Sequence, residues 1–303
     1  MKNKKLAVLA LGGNALLRDN QAGTIDEQEE NTFQTLENLV YLIKDGYNIV
    51  ITHGNGPQVG NSLLRNDAGE ILYQIPQMPL DICVADTQGG IGYMIERMFR
   101  NVLKKHGIEK DVVTLVTLVE VDQHDHAFHV PTKRIGKSYS PEMAEKMTNE
   151  KGWSFKEEAK STLGYRRVVP SPKPLKIMNE SLIKELALSG KVVIASGGGG
   201  IPVYYDESGD VRPAEAVIDK DLASSLLAAD IGADEFYILT DVPYIYLDYK
   251  KETQRIAEFL DYADTLKYLH DGQFGEGNMA PKIRAALNFI ENGGKKKCHY
   301  RSN

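Results

Sequence analysis

Apolar positions along the chain fall into two kinds of run, and the two kinds alternate. "LAVLAL" (6–11) is short and unbroken, the pattern of a strand buried on both faces. In "EQEENTFQTLENLVYLIKDG" (27–46), Phe33, Leu36, Leu39, Val40 and Ile43 recur at helical spacing until Gly46 stops them. "YNIVITH" (47–53) reads as the next strand. "GNGPQVG" then opens a helix with Pro57 at its first position, and a helical pattern covers Leu80 to His106. "DVVTLVTLVEV" (111–121), "KVVIAS" (191–196) and "GADEFYILTDVPYIYLDYK" (232–250) carry strand character, and "NMAPKIRAALNFIENGG" (278–294) is helical. Strands separated by helical crossovers predict an α/β fold with a parallel sheet.

The alternation breaks between Asp122 and about Arg166. His, Pro, Lys and Gly accumulate there, and only "PEMAEKMTNEKG" keeps a helical pattern, so this stretch is expected to be an inserted excursion.

Composition narrows the function. A chain of 303 residues, 42% hydrophobic, is long enough to bury a large core as one big α/β unit. Its formal net charge of -6 gives no basic field for a phosphate backbone, so no nucleic-acid partner is expected. The apolar runs are strand-sized, well under the roughly 20 residues of a membrane span, and none is expected to cross a bilayer. "MKNKK" is basic but leads into no cleavage pattern, which argues against a signal peptide. Two cysteines far apart, Cys83 and Cys298, suit a reducing cytosol, and a cytoplasmic location is expected.

Three strands run into glycine turns: "LGGNAL", "THGNGPQVG" and "SGGGGIPV". A strand, a glycine turn and a helix in that order leave backbone N–H groups free at a positive dipole end, where an anion can sit. Turns after parallel strands lie along one edge of the sheet, where open α/β sheets bind ligands. Two look-alikes occur; the first leaves NAD binding open and the second is discarded. "GNGPQVG" misses the dinucleotide fingerprint by one position, and "IGKS" (135–138) has Pro131 where a P-loop needs glycine. His124, Asp125, His126 and His129 crowd together with no helix to align them, so they read as solvated loop residues and no protein metal site is assigned.

Phosphates held by such turns need positive charge from elsewhere. "AVIDKDLAS" puts Lys220 between Asp219 and Asp221 at the head of an apolar helix with Leu222, Ala223, Leu226 and Leu227. A cap accounts for Asp219 but not for its neighbours. A lysine aimed into a partly dry cleft attracts a phosphate by about 4 kcal/mol at roughly 4 Å, for an effective dielectric of about 20; the adjacent Asp221 can hold it in place. Lys282 follows the turn "GNMAP", and Lys133 sits in "PTKRIG" between proline and glycine.

Together, "ALGGNAL", "THGNGPQVG", "DQHDHAFHVPTKRIG", "RRVVPSPKP", "GGGGIPV", "AVIDKDLAS", "LTDV" and "GNMAPK" resemble carbamate kinase, a member of the amino acid kinase superfamily, from about Leu6 to Lys295. The resemblance implies an open, mostly parallel sheet sandwiched between helices. It implies an N-terminal carbamate lobe over about 1–190, a protruding subdomain at about 122–166 and a C-terminal nucleotide lobe over about 191–303. The implied activity is reversible phosphoryl transfer between carbamoyl phosphate and ADP, giving ATP and carbamate, with magnesium, in a homodimer, in the arginine deiminase pathway.

By matching motif, Gly12, Gly13, Asn14, Gly54 and Asn55 would cradle carbamate and the moving phosphoryl group. Lys133, Lys220 and Lys282 would supply the positive charge and Asp221 would position it. Gly198 and Gly199 would line the phosphate path, and Asp241, Tyr246, Gly277 and Met279 would border the nucleotide. Carbamate already carries its negative oxygen, so alignment and fixed positive charge are all the protein must provide. Two departures are visible. Arg134 replaces the family's proline, which is expected to loosen the protruding loop, and the polar ending "KCHYRSN" is expected to lack the family's terminal sheet segment. A non-catalytic nucleotide sensor and a kinase for another small acid remain open as alternatives.

Overall fold

The computed structural model describes residues 4–18, 21–157, 164–240, 242, 244–275, 279–294 and 297–302; for Asn14 and for 297–302 it describes the backbone only. Asp241 and Gly277 of the expected nucleotide site lie outside the described residues. The central sheet has six strands, all parallel, in the order Lys297–Ser302, Glu235–Thr240, Leu6–Leu11, Asn48–His53, Val192–Ile194, Val112–Thr114.

"LAVLAL" shows why the sheet is covered on both sides. Ala7, Leu9 and Leu11 pack with Leu36, Met94, Ile95 and Phe99 from the helices Ile25–Glu37 and Leu80–Lys105. Leu6, Val8 and Ala10 point the other way, onto Ile183, Ala223, Leu227 and Phe289. Those come from the helices Glu180–Leu188, Lys220–Asp230 and Met279–Glu291. Period-two alternation therefore serves two cores, one per face, and the α/β expectation is met by a helix–sheet–helix sandwich.

Four expected elements come out differently. The 27–46 helix begins earlier, at Ile25, on a capping box in which Thr24 and Glu27 satisfy each other's backbone N–H groups. It ends at Glu37 and restarts as Val40–Lys44, because the Leu39 N–H turns to the Leu36 carbonyl and tightens the helix. The 111–121 strand is two strands: Val112–Thr114 stays in the central sheet, while Leu118–Val121 joins a separate four-stranded sheet. Gln88 stabilises the break by accepting from the Thr117 N–H (2.8 Å) and donating to the Thr117 carbonyl (3.0 Å), which also accepts from the Ile201 N–H (2.9 Å). The 232–250 stretch also divides, into Glu235–Thr240 and the strand Ile245–Leu247 of a two-stranded sheet. Finally, the polar ending does contribute a sheet segment: Lys297–Ser302 pairs in parallel with Glu235–Thr240. Strand pairing needs only backbone groups, so polar composition did not prevent it.

The 122–166 excursion contains most of a small antiparallel sheet, Lys133–Tyr139, Tyr165–Val169, Ser154–Glu157 in that order, with the expected helix at Pro141–Lys151. Arg134 does not loosen it, since its guanidinium donates to the Glu157 carbonyl (3.1 Å). The subdomain meets the helix Gly56–Tyr73 at a glycine pair: a Cβ on Gly60 would lie 2.0 Å from the Gly136 Cα. Lys151 bonds to Asp67 of the same helix, and the Arg167 guanidinium stacks on Trp153 at 3.8 Å.

Candidate active site

The three glycine turns follow neighbouring strands of the central sheet, all at its C-terminal edge. Gly12 backs onto the strand beside it, where a Cβ would come 2.8 Å from the Leu239 carbonyl oxygen. At the second turn, the stem of Lys220 lies against Gly54, and Asn55 is buried with its amide donating to Thr87 (2.9 Å). At the third, Gly198 (φ +65°) presses on that same Asn55 amide, with room for no Cβ, and Gly199 (φ +94°) packs on Ile218 beside Asp219. Only glycine combines these left-handed torsions with such close approach. Gly13 makes no such contact; it opens the short 3-10 turn Gly13–Ala15, to which Asn14 contributes its backbone.

The lysines converge on one carboxylate. Lys220 and Lys282 occupy the first turns of the helices Lys220–Asp230 and Met279–Glu291. Lys220 Nζ donates to Asp221 Oδ1 at 2.5 Å and Lys282 Nζ to Asp221 Oδ2 at 3.3 Å. Two ammonium groups at positive helix ends oppose the dipoles, so local preference alone would not place them there. Asp221 offsets the cost. Burial by itself would push its carboxyl up, but the two cations outweigh burial and hold it well below the usual carboxylate range. Burial pushes the Lys220 amine down from its ordinary value, with Asp221 opposing.

Lys133 arrives from the subdomain and reaches Asp219 Oδ2 at 2.7 Å. Asp219 also caps the helix as expected, its Oδ1 accepting from the N–H groups of Asp221 (2.9 Å) and Leu222 (3.2 Å). The rest of that helix is core: Ala223 and Leu227 are fully buried, and Ser224 hydrogen-bonds Thr52 at the end of the second strand (2.6 Å).

Beneath the turns lies a layer the motifs did not single out. His53 is fully enclosed, with Nδ1 3.0 Å from the Gly54 carbonyl and Nε2 so near Gly197 that a Cβ there would be 2.4 Å away. Burial pushes its pKa down to about 4, and Lys220 adds to the shift, so it is a neutral ring. Gln88 donates to the Gly197 carbonyl (2.8 Å), and the Ser196 N–H donates to Thr117 Oγ1 (3.0 Å). Sequence gave one hint: a serine at the entry to a four-glycine turn, which adopts φ +51°.

Tyr246 and Met279 sit around the two-stranded sheet. Tyr246 stacks edge-on with Tyr244 and tilts against Tyr249, while Met279 packs with Ile245, Leu247 and Ile283. The Asp125 carboxylate of the histidine-rich loop accepts from the N–H groups of Ala127 and Lys173. A cleft of about 620 Å³ lined by Arg100, Lys104 and Lys110 lies elsewhere, at the far end of the helix Leu80–Lys105, and includes none of these residues.

An α/β sheet with glycine turns and paired lysines at its C-terminal edge fits a phosphotransferase. The model of the amino acid kinase family matches residues 5–299, and the chain belongs to that family. A carbamate kinase from Pyrococcus horikoshii is 49% identical over 289 residues, 95% of this chain and 91% of the relative. Among solved structures, the carbamate kinase from Giardia lamblia bound to citric acid superimposes with a TM-score of 0.91 at 38% identity, covering 100% of this chain and 94% of that one. The same enzyme bound to AMP-PNP gives 0.89 at 39% identity, covering 100% and 94%. Among the described residues, no helix is long and apolar enough to cross a membrane.

Proposed function

We propose that this chain is a carbamate kinase that moves a phosphoryl group reversibly between carbamoyl phosphate and ADP. The observation that carries this reading is the junction of Lys220, Asp221 and Lys282 beside the glycine turn at Gly54, where a Cβ would come 3.0 Å from the Lys220 stem. In the direction of ATP use, a carbamate oxygen forms a bond to the γ-phosphorus as the bond to the β-phosphate oxygen of ADP breaks. Charge builds on the equatorial oxygens of the moving group, and fixed ammonium groups and N–H donors stabilise it without rearranging.

Gly12, Gly13, Asn14, Gly54 and Asn55 hold carbamate in this scheme, Lys133 and Lys220 flank the moving group, and Lys282 neutralises the nucleotide phosphates. Gly198 and Gly199 line the phosphate path in this scheme, and Asp241, Tyr246, Gly277 and Met279 border the nucleotide; use of a nucleotide is itself supported by the relative solved with AMP-PNP. Among the described residues the two site carboxylates form no magnesium cage, because both oxygens of Asp221 are taken by lysines and those of Asp219 by Lys133 and the helix cap. In this scheme magnesium arrives with the nucleotide substrate. An N-terminal carbamate lobe, a C-terminal nucleotide lobe, a place in the arginine deiminase pathway and a cytoplasmic location are part of the same proposal. So is a homodimer; the exposed apolar residues Ile71, Leu72, Tyr73, Ile75 and Met78 offer a surface for a second copy.

The test is to mix the protein with carbamoyl phosphate, ADP and magnesium and follow ATP. ATP formation is expected, with Lys220→Ala slower by roughly a hundredfold, as for loss of one transition-state donor. No ATP from the wild-type protein rejects the reading.

A further inference from the structure

Asp219 does two things with two oxygens. Oδ1 caps the helix that begins at Lys220, accepting from Asp221 N at 2.9 Å and Leu222 N at 3.2 Å, and Oδ2 receives Lys133 Nζ at 2.7 Å. The cap fixes the carboxylate plane relative to the first helical turn, so the oxygen offered to Lys133 has a direction set by the helix itself. From behind, Gly199 allows the third turn to close on Ile218, the residue before Asp219.

The other half of the contact is equally determined. Lys133 lies opposite Val169 in the subdomain's sheet, and the carbonyl of Pro170, next along, accepts from the Val217 N–H at 3.0 Å. The root of the subdomain is thereby joined to the segment leading into Asp219, close to where Lys133 meets that carboxylate. The Lys133 side chain keeps 27% of its surface open to solvent. It is held at the rim, whereas the side chains of Lys220 and Lys282 are 13% and 9% exposed.

We propose that Asp219 is a positioning residue for the phosphoryl transfer: through its free oxygen it sets the Lys133 ammonium against the helix that carries Lys220. This rests on the kinase reading above. A cap alone needs a side-chain oxygen, which asparagine supplies as well as aspartate. Holding an ammonium in one place needs the charge, and a charge-assisted bond is roughly twice as strong as a neutral one. The two roles therefore separate in one substitution.

Asp219→Asn is expected to fold with a melting temperature near wild type and to lose kcat by roughly tenfold, the scale of one hydrogen bond to a charged group, with KM for carbamoyl phosphate little changed. Combined with Lys133→Met it is expected to lower kcat no further than Lys133→Met alone, because Asp219 acts through that lysine. Independently of turnover, Lys133 in the intact protein is expected to be acetylated slowly by an N-hydroxysuccinimide ester and several-fold faster in Asp219→Asn, read by mass spectrometry. Wild-type kcat in Asp219→Asn, multiplying effects in the double variant, or an unchanged Lys133 labelling rate would each overturn the proposal. If the wild-type protein makes no ATP, the kinase reading fails instead, and the labelling still decides whether Asp219 holds Lys133.

Discussion

The stem of Lys220 lies across the backbone of Gly54: a methyl group at position 54 would come 3.0 Å from its Cδ and 3.4 Å from its Cε. The second glycine turn is therefore shaped around a side chain from a helix more than a hundred and sixty residues later in the chain, as much as around any anion. Gly54→Ala is expected to fold, since position 54 has an ordinary torsion, but to displace the ammonium. A loss in kcat of about tenfold to a hundredfold follows from a misplacement well under an ångström to about one. Steady-state kinetics beside a thermal melt checks it; unchanged kcat removes the contact from the mechanism.

Asp221 is the only carboxylate bonded to both Lys220 and Lys282 among the described residues. Asp221→Asn leaves two nearly buried cations facing each other. It is expected to cost about 3 to 5 kcal/mol, the usual effect of removing one member of a buried ion pair, measured by urea unfolding. Removing a cation as well, in Asp221→Asn with Lys282→Met, is expected to recover part of the loss, because the repulsion goes with it.

His53 predicts an acid limb in the stability profile. Its pKa falls from 6.5 to about 4 on folding, so the unfolded chain binds the proton more readily between those values. The stabilisation is fully present above pH 6.5 and is lost as the pH falls toward 4, amounting to about 3 kcal/mol. Unfolding free energies of wild type and His53→Gln between pH 7 and pH 4.5 should converge as acid is added. Parallel curves would mean that the ring is not held neutral by its enclosure.

The Gly60–Gly136 contact leaves no space for a side chain, since a Cβ at 60 would overlap the Gly136 Cα. Alanine is favoured over glycine inside a helix by about 1 kcal/mol, so a helix free of this contact would gain from Gly60→Ala. Here the expected outcome is the reverse, a net loss of about 1 to 3 kcal/mol from overpacking, with faster proteolysis of the subdomain and slower turnover as Lys133 shifts. A gain in melting temperature would show that the subdomain docks without this contact.

Much of this was legible in sequence because a single local property decides it. "LAVLAL" must be buried on both faces, so its place inside a covered sheet was readable. The glycine turns and Lys220 were readable because each breaks a local preference: glycines end strands, and a cation opens a helix against its dipole. What was illegible depends on distant partners. The break after Thr114 is stabilised by Gln88, which nothing in 111–121 announces. The subdomain strands are rich in lysine and arginine and mostly half-buried, so hydrophobic alternation was absent. His53 stood inside a quoted motif, yet its neutrality comes from burial, against Gly197 among others, with Lys220 adding to it, and only the fold brings these near. The second oxygen of Asp219 was hidden for the same reason, behind a capping role that sufficed to explain the residue.

The order of strands in the central sheet has a consequence for synthesis. Leu6–Leu11 has Asn48–His53 on one side, but its other neighbour is Glu235–Thr240, and that strand in turn awaits Lys297–Ser302. On the ribosome, this apolar hexapeptide emerges more than two hundred residues before Glu235–Thr240 and keeps one hydrogen-bonding edge open until that partner strand has been made. Such an edge invites pairing with other nascent chains. The cell must shield it for the duration of translation, and variants that slow docking of the late strands will be lost to aggregation before any defect in chemistry can be observed.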